Sequence, residues 1–123
     1  MTHSTASKTL VASVVLLASA TASAQDAAAG KAVFTQCAAC HTVDAENGAG
    51  PSLKGIVGRK VGSYAGFRYS RAMKAVDYAW DSAKLDAYLA DPQKAIPGNV
   101  MPFSGLPDAK QRADVIAYLQ TLK

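Results

Sequence analysis

The pentapeptide Cys37-Ala-Ala-Cys40-His41 limits what this 123-residue chain can become more than any other stretch. In a helical turn its two cysteines and histidine stand at i, i+3 and i+4, so their side chains leave the backbone on one face. Three chemistries use cysteines at this spacing. A dithiol redox switch sits at a strand-to-helix junction of a βαβ unit, and no strand pattern flanks this pair. A structural zinc site wants four Cys or His ligands, whereas Cys37 and Cys40 are the only cysteines and His41 is the only histidine after Ala24. Attachment of a haem needs what is present: two sulfurs for thioether bonds and an imidazole that can reach the iron. The motif therefore points to a c-type haem.

The rest of the sequence is short of material for a conventional interior. Alanine is abundant, and bulk comes from Trp80, three Phe and five Tyr. A domain of this size buries a modest core, and two cysteines do not make the disulfide framework that small exported domains use instead. Residues 44–68 are punctuated by Gly48, Gly50, Pro51, Gly55, Gly58, Gly62 and Gly66. So long a series of turns is expected to wrap around something.

Helices are expected on either side. Asp26 caps one running from Ala27 to about Cys37, Ser70 a short one to about Val76, and Asp81 another to about Ala90. In the last of these Leu85, Tyr88 and Leu89 share a face. Asp91-Pro92 ends it, because the residue before proline disfavours helical geometry. After a loop marked by Pro97, Gly98, Pro102, Gly105 and Pro107, Asp108 opens the final helix. Val115, Ile116, Leu119 and Leu122 form its apolar stripe, beside a polar face of Lys110, Gln111 and Asp114. Gly30 costs its helix about 1 kcal/mol relative to Ala, which a close crossing by the last helix at Tyr118 and Leu119 would justify. No segment alternates with period two, so the expected class is all-α.

The N-terminal segment reads differently. Lys8, the apolar run Leu10 to Ala20 and the small residues Ala22-Ser23-Ala24 match a secretory signal peptide, expected at 1–24 with the mature domain at 25–123. About eleven apolar residues are too few to span a bilayer, so no stable membrane insertion is expected. Of 13 basic side chains only Lys8 precedes Gln25, leaving 12 against 9 acidic ones. That mild excess has no dense basic patch, which argues against nucleic acid. It suits acidic protein surfaces.

A haem iron held by His41 has a second axial position. A methionine thioether would close it and raise the potential. Met73 and Met101 are the candidates once Met1 leaves with the signal segment. Met101 is favoured, because the loop IPGNVMPF can present a side chain sideways, whereas Met73 in a short helix reads as core filler.

Taken in order, GKAVFTQCAACHTV, GPSLKGIVGRKVG, YAGFRYSRAMK, the isolated Trp80, LDAYLADPQKAIPGNVMPFSGL and ADVIAYLQTLK resemble the class I cytochromes c. The likeness is to the branch holding the mitochondrial carrier and its bacterial relatives, and it covers about Ala27 to Lys123. It implies a small all-α fold whose helices wrap one covalent haem c, attached through Cys37 and Cys40 and ligated by His41 and Met101. It further implies that the Pro51 carbonyl holds the other imidazole nitrogen. Arg59, Tyr69 and Trp80 would surround the propionates, Tyr88 would lie near the ligating sulfur, and Leu53, Leu89 and Phe103 would be apolar wall. The sequence departs from the mitochondrial pattern in four places. Only Thr35 and Gln36 separate Phe34 from Cys37, Met73 stands where an Asn is common, Asn99-Val100 replaces Thr-Lys, and Gln93 replaces Lys.

The resemblance implies an electron-transfer protein rather than an enzyme. The expectation is a monomeric periplasmic carrier in a Gram-negative bacterium, docking transiently on membrane redox complexes. It would pass one electron at a time from a quinol-oxidising cytochrome complex to a terminal oxidase, reductase or photosynthetic reaction centre. Two other classes compete: a haem enzyme or gas sensor with a labile Met101, and a dedicated acceptor for a periplasmic dehydrogenase. No second histidine or acid–base pair suggests the first of these.

Overall fold

The computed structural model describes Met1 and residues 25–123, so the expected signal segment falls outside the described residues apart from its first one. Five α-helices are described: α1 Ala27–Val33, α2 Arg71–Lys74, α3 Ser82–Ala90, α4 Pro92–Ala95 and α5 Ala109–Gln120. Among the described residues there is no strand, and the one isolated bridge pairs Lys60 with Ala79. Each helix opens on a polar cap whose side chain accepts from a free N–H of the first turn: Asp26, Ser70, Asp81, Asp91 and Asp108.

Two boundaries differ from the sequence pattern. The first α-helix stops at Val33 rather than near Cys37, and the chain tightens into a 3-10 turn at Phe34–Gln36. Winding of this kind satisfies carbonyls that a helix end leaves free. The second difference is α4. Asp91-Pro92 does end α3, but the same dipeptide starts another helix, because proline at the first position lacks only an N–H that would have no partner there.

α1 crosses α5, and α3 lies against both α5 and α4. Gly30 is buried at the crossing, where a Cβ would stand 1.8 Å from the Asp114 carbonyl oxygen and 2.9 Å from the Val115 nitrogen. The contact is therefore one turn earlier in α5 than Tyr118 and Leu119. Tyr118 instead sets its ring against Phe34, centroids 5.2 Å apart. Asp114, expected on the polar face, is buried at this crossing and only 4 % exposed. A buried carboxylate must be paired, and both partners are in reach: Lys110 Nζ at 2.6 Å and the Asp26 backbone N–H at 2.9 Å. The hydrogen bond from Lys110 and then that from Asp26 hold its pKa below the ordinary carboxylate value.

The glycine-rich segment 44–68 is tied to the rest of the domain through its middle. Gly55 N–H donates to the Leu122 carbonyl, Gly58 to Trp80 and Val61 to Tyr78. Val61 is fully buried. The segment thus becomes one wall of the domain, facing α3 and the Met101 loop.

Candidate haem site

These elements enclose a cavity of about 330 Å³. Cys37, Cys40 and His41 line it, just after the 3-10 turn. The Cys40 and His41 N–H groups both return to the Cys37 carbonyl, at 3.0 and 2.9 Å, so the pentapeptide forms a tight helical turn. His41 Nδ1 lies 2.7 Å from the Pro51 carbonyl oxygen. A carbonyl can only accept, so Nδ1 carries the proton and Nε2 keeps a lone pair for an electrophile. Gly50 makes room for the ring, since a Cβ there would meet the imidazole at 2.6 Å.

Met101 also lines the cavity, with the Tyr88 hydroxyl 3.8 Å from its sulfur. Burial, and secondarily the neighbouring Tyr78, pushes the Tyr88 pKa up to about 12. The hydroxyl therefore stays a neutral donor to sulfur well beyond neutral pH. This raised value makes a prediction: the fold keeps the contribution below about pH 10, the free tyrosine value, and loses it as pH rises towards 12. Guanidinium midpoints measured across that window should fall in the parent protein and fall less in Tyr88→Phe. Equal slopes would show that Tyr88 is not the group responsible.

At the rim, the Arg59 guanidinium donates to the carbonyls of Ser52 at 2.9 Å and Lys54 at 3.0 Å, and lies 4.4 Å over the Tyr64 ring. Burial lowers its pKa from the ordinary arginine value, with Tyr69 and Tyr64 opposing that shift. It nonetheless remains a fixed cation beside the cavity, suited to a carboxylate of a bound group. The Tyr69 hydroxyl accepts from Tyr64 N–H at 3.1 Å. Trp80, buried, tilts against Tyr88 with ring centroids 5.1 Å apart.

Pro51, Leu53, Arg59, Tyr69, Trp80, Tyr88, Leu89, Met101 and Phe103 thus share one cavity with the Cys-Ala-Ala-Cys-His turn. Met73, the other methionine considered, lines it too. Sequence reasoning missed Phe67, which stands edge-on to Tyr69 at 4.9 Å, and the seat provided by Gly50. The run Tyr64 to Tyr69, with aromatics three and two apart, was the available signal for Phe67.

The donor set discriminates among the chemistries. Burial raises the Cys37 pKa, whereas redox and nucleophilic cysteines need theirs lowered. Among the described residues no three His, Cys, Asp or Glu side chains are grouped to hold a metal ion, so zinc lacks ligands. Two thiols, an oriented imidazole, a thioether and apolar walls with a cationic rim do fit a haem.

The family model described as cytochrome c matches residues 27–123. The chain is 50% identical over 99 residues to cytochrome c2 iso-2 of Magnetospirillum molischianum, covering 80% of this chain and 99% of that one. It is 48% identical over 98 residues to the cytochrome c-type cyt cy of Rhodobacter capsulatus, covering 79% of this chain and 49% of the relative, so it spans about half that protein's length. Among solved structures, cytochrome cH from Methylobacterium extorquens superposes with a TM-score of 0.76 at 48% identity, covering 78% of this chain and 98% of that one. On the matched residues, the fold and the donor set together, this chain belongs to the cytochrome c family, class I, electron-transfer proteins with covalently bound haem c rather than enzymes.

Proposed function

We propose that the chain is an exported, periplasmic one-electron carrier with one haem c, linked through Cys37 and Cys40 and ligated by His41 and Met101. In this reading the helices wrap the group in the cavity, residues 1–24 are a cleaved signal peptide, and 25–123 is the working domain. The single observation that carries it is the cavity shared by the attachment turn, the oriented His41 and the Met101 sulfur with its Tyr88 donor. When bound, the haem supplies a metal centre that alternates between two oxidation states.

What the protein supplies is permanence of surroundings. Pro51 fixes the His41 ring, Tyr88 donates to the sulfur, and Leu53, Leu89, Trp80 and Phe103 exclude water. Arg59, with Tyr69 and Trp80 nearby, would hold the propionates. A change of charge then meets preorganised dipoles and little has to move. Among the described residues no helix is long and apolar enough to cross a membrane. Docking on membrane redox complexes, such as a quinol-oxidising cytochrome complex and an oxidase, reductase or photosynthetic centre, would be transient. Exposed Lys31, Lys54 and Lys94 would steer it.

The ligand assignment is tested by the visible spectrum of the oxidised holoprotein. The weak far-red band of a sulfur-to-iron bond is expected, and Met101→Ala should abolish it and lower the midpoint potential. Retention of the band in that variant would move the role to Met73. Steering is tested separately: the electron-transfer rate with an isolated membrane partner should fall as salt rises from 10 to 200 mM, over which the screening length drops from about 30 Å to below about 10 Å. A flat profile would remove the lysines from the account.

A further inference from the structure

The loop that carries Met101 is laced to α4 by two side-chain amides. Asn99 is buried, only 5 % exposed, and every hydrogen-bonding group of its side chain is engaged. Its Nδ2 donates to the carbonyls of Pro92 at 2.8 Å and Ile96 at 2.9 Å, while its Oδ1 accepts from the Met101 backbone N–H at 3.1 Å. Gln93, on α4, ties the preceding residues: its Nε2 donates to the Asn99 carbonyl at 2.8 Å, and its Oε1 accepts from Gly98 N–H at 3.3 Å. Val100, between the two inward residues, is 73 % exposed. The segment from Pro97 to Met101 belongs to no helix. Its position therefore depends on these ties to α4.

Resting on the reading of Met101 as the iron ligand, we propose that Asn99 and Gln93 are positioning residues. They form an amide clamp that holds the Met101 loop closed and sets how readily an outside ligand displaces the sulfur. An exogenous base can bind only in the fraction of molecules whose loop has swung away. Its apparent affinity scales with that fraction. Asn99→Ala removes the two hydrogen bonds that tie the loop to the Pro92 and Ile96 carbonyls, together with the one from Met101 N–H that shapes the loop itself, and leaves the buried Pro92 carbonyl without that donor. Gln93→Ala removes two, at a residue that is itself exposed, where water replaces part of what is lost.

The experiment titrates imidazole into the oxidised holoprotein, following loss of the far-red band, with global unfolding in guanidinium measured in parallel. Affinity for imidazole should rise about tenfold in Asn99→Ala and about threefold in Gln93→Ala, with the global midpoint of Gln93→Ala nearly unchanged. Asn99→Asp, which turns a carboxylate oxygen towards the Pro92 and Ile96 carbonyls where the parent has two donors, should raise the affinity at least as far as Asn99→Ala. Affinities within twofold of the parent in both alanine variants overturn the clamp. So does a rise that merely tracks lost global stability. Should Asn99→Ala fail to fold, Gln93→Ala carries the test alone. A parent protein without the far-red band, or one that keeps it in Met101→Ala, instead overturns the ligand assignment and takes the clamp with it.

Discussion

Replacing Gly30 with alanine is expected to destabilise the domain by about 2 kcal/mol, although alanine is the better helix former. The intrinsic gain is about 1 kcal/mol. Against it stands an impossible contact: the new methyl carbon would lie 1.8 Å from the Asp114 carbonyl oxygen and 2.4 Å from its carbon. These are backbone atoms in the middle of α5, so no side-chain rotation relieves the overlap. α1 and α5 must separate, and the Phe34–Tyr118 ring contact and the Asp26–Asp114 hydrogen bond loosen with them. Overpacking of this kind typically costs 1–3 kcal/mol and occasionally more when neighbours cannot yield. For a domain of this size the melting temperature should drop by on the order of 10 °C. A holoprotein variant melting within about 2 °C of the parent would mean that the crossing is not rigid.

The second large effect is expected at the attachment turn. The double variant Cys37→Ala/Cys40→Ala should be recovered at bare polypeptide mass, colourless after denaturation and without cooperative thermal unfolding. The cavity explains the severity. At about 24 cal/mol per Å³, an emptied space of about 330 Å³ amounts to about 8 kcal/mol. That is an upper bound, because water can enter through the mouth, yet it rivals the ~5–15 kcal/mol that holds a whole domain. The parent protein should instead carry one haem through denaturation. A parent mass equal to bare polypeptide would end the haem reading outright, and a cooperatively folded double variant would end the claim that the haem completes the interior.

How much of this could be read beforehand depended on how local the cause was. Helix starts were legible because a cap acts within three residues: Asp26, Ser70, Asp81 and Asp108 each bond to an N–H of their own first turn. The cavity lining was reached from the Cys-Ala-Ala-Cys-His spacing and from family likeness in the later blocks. Other features follow from contacts between distant residues, which no single stretch contains. Asp114 looked like one more polar position on α5, and only the approach of α1 turns it inward to meet the Asp26 N–H. The crossing point at Gly30 was placed a turn too late for the same reason. Pro92 plays two parts, ending α3 by its effect on the residue before it and opening α4 at the first helical position, and the first part masks the second. The Asn99 and Gln93 ties were invisible because an amide announces no partner until the loop's path is known.

The Asp26–Asp114 hydrogen bond joins residues 88 positions apart. Closing so long a segment is slow relative to local helix formation. If the chain emerges from its amino end during export, α1 and the two thiols appear long before the helix that will clamp them. There is thus an interval in which both sulfurs lie on an open chain, including that of Cys37, which the folded domain half-buries. Placing the attachment turn near one end and its lock near the other makes the order of assembly a property of topology.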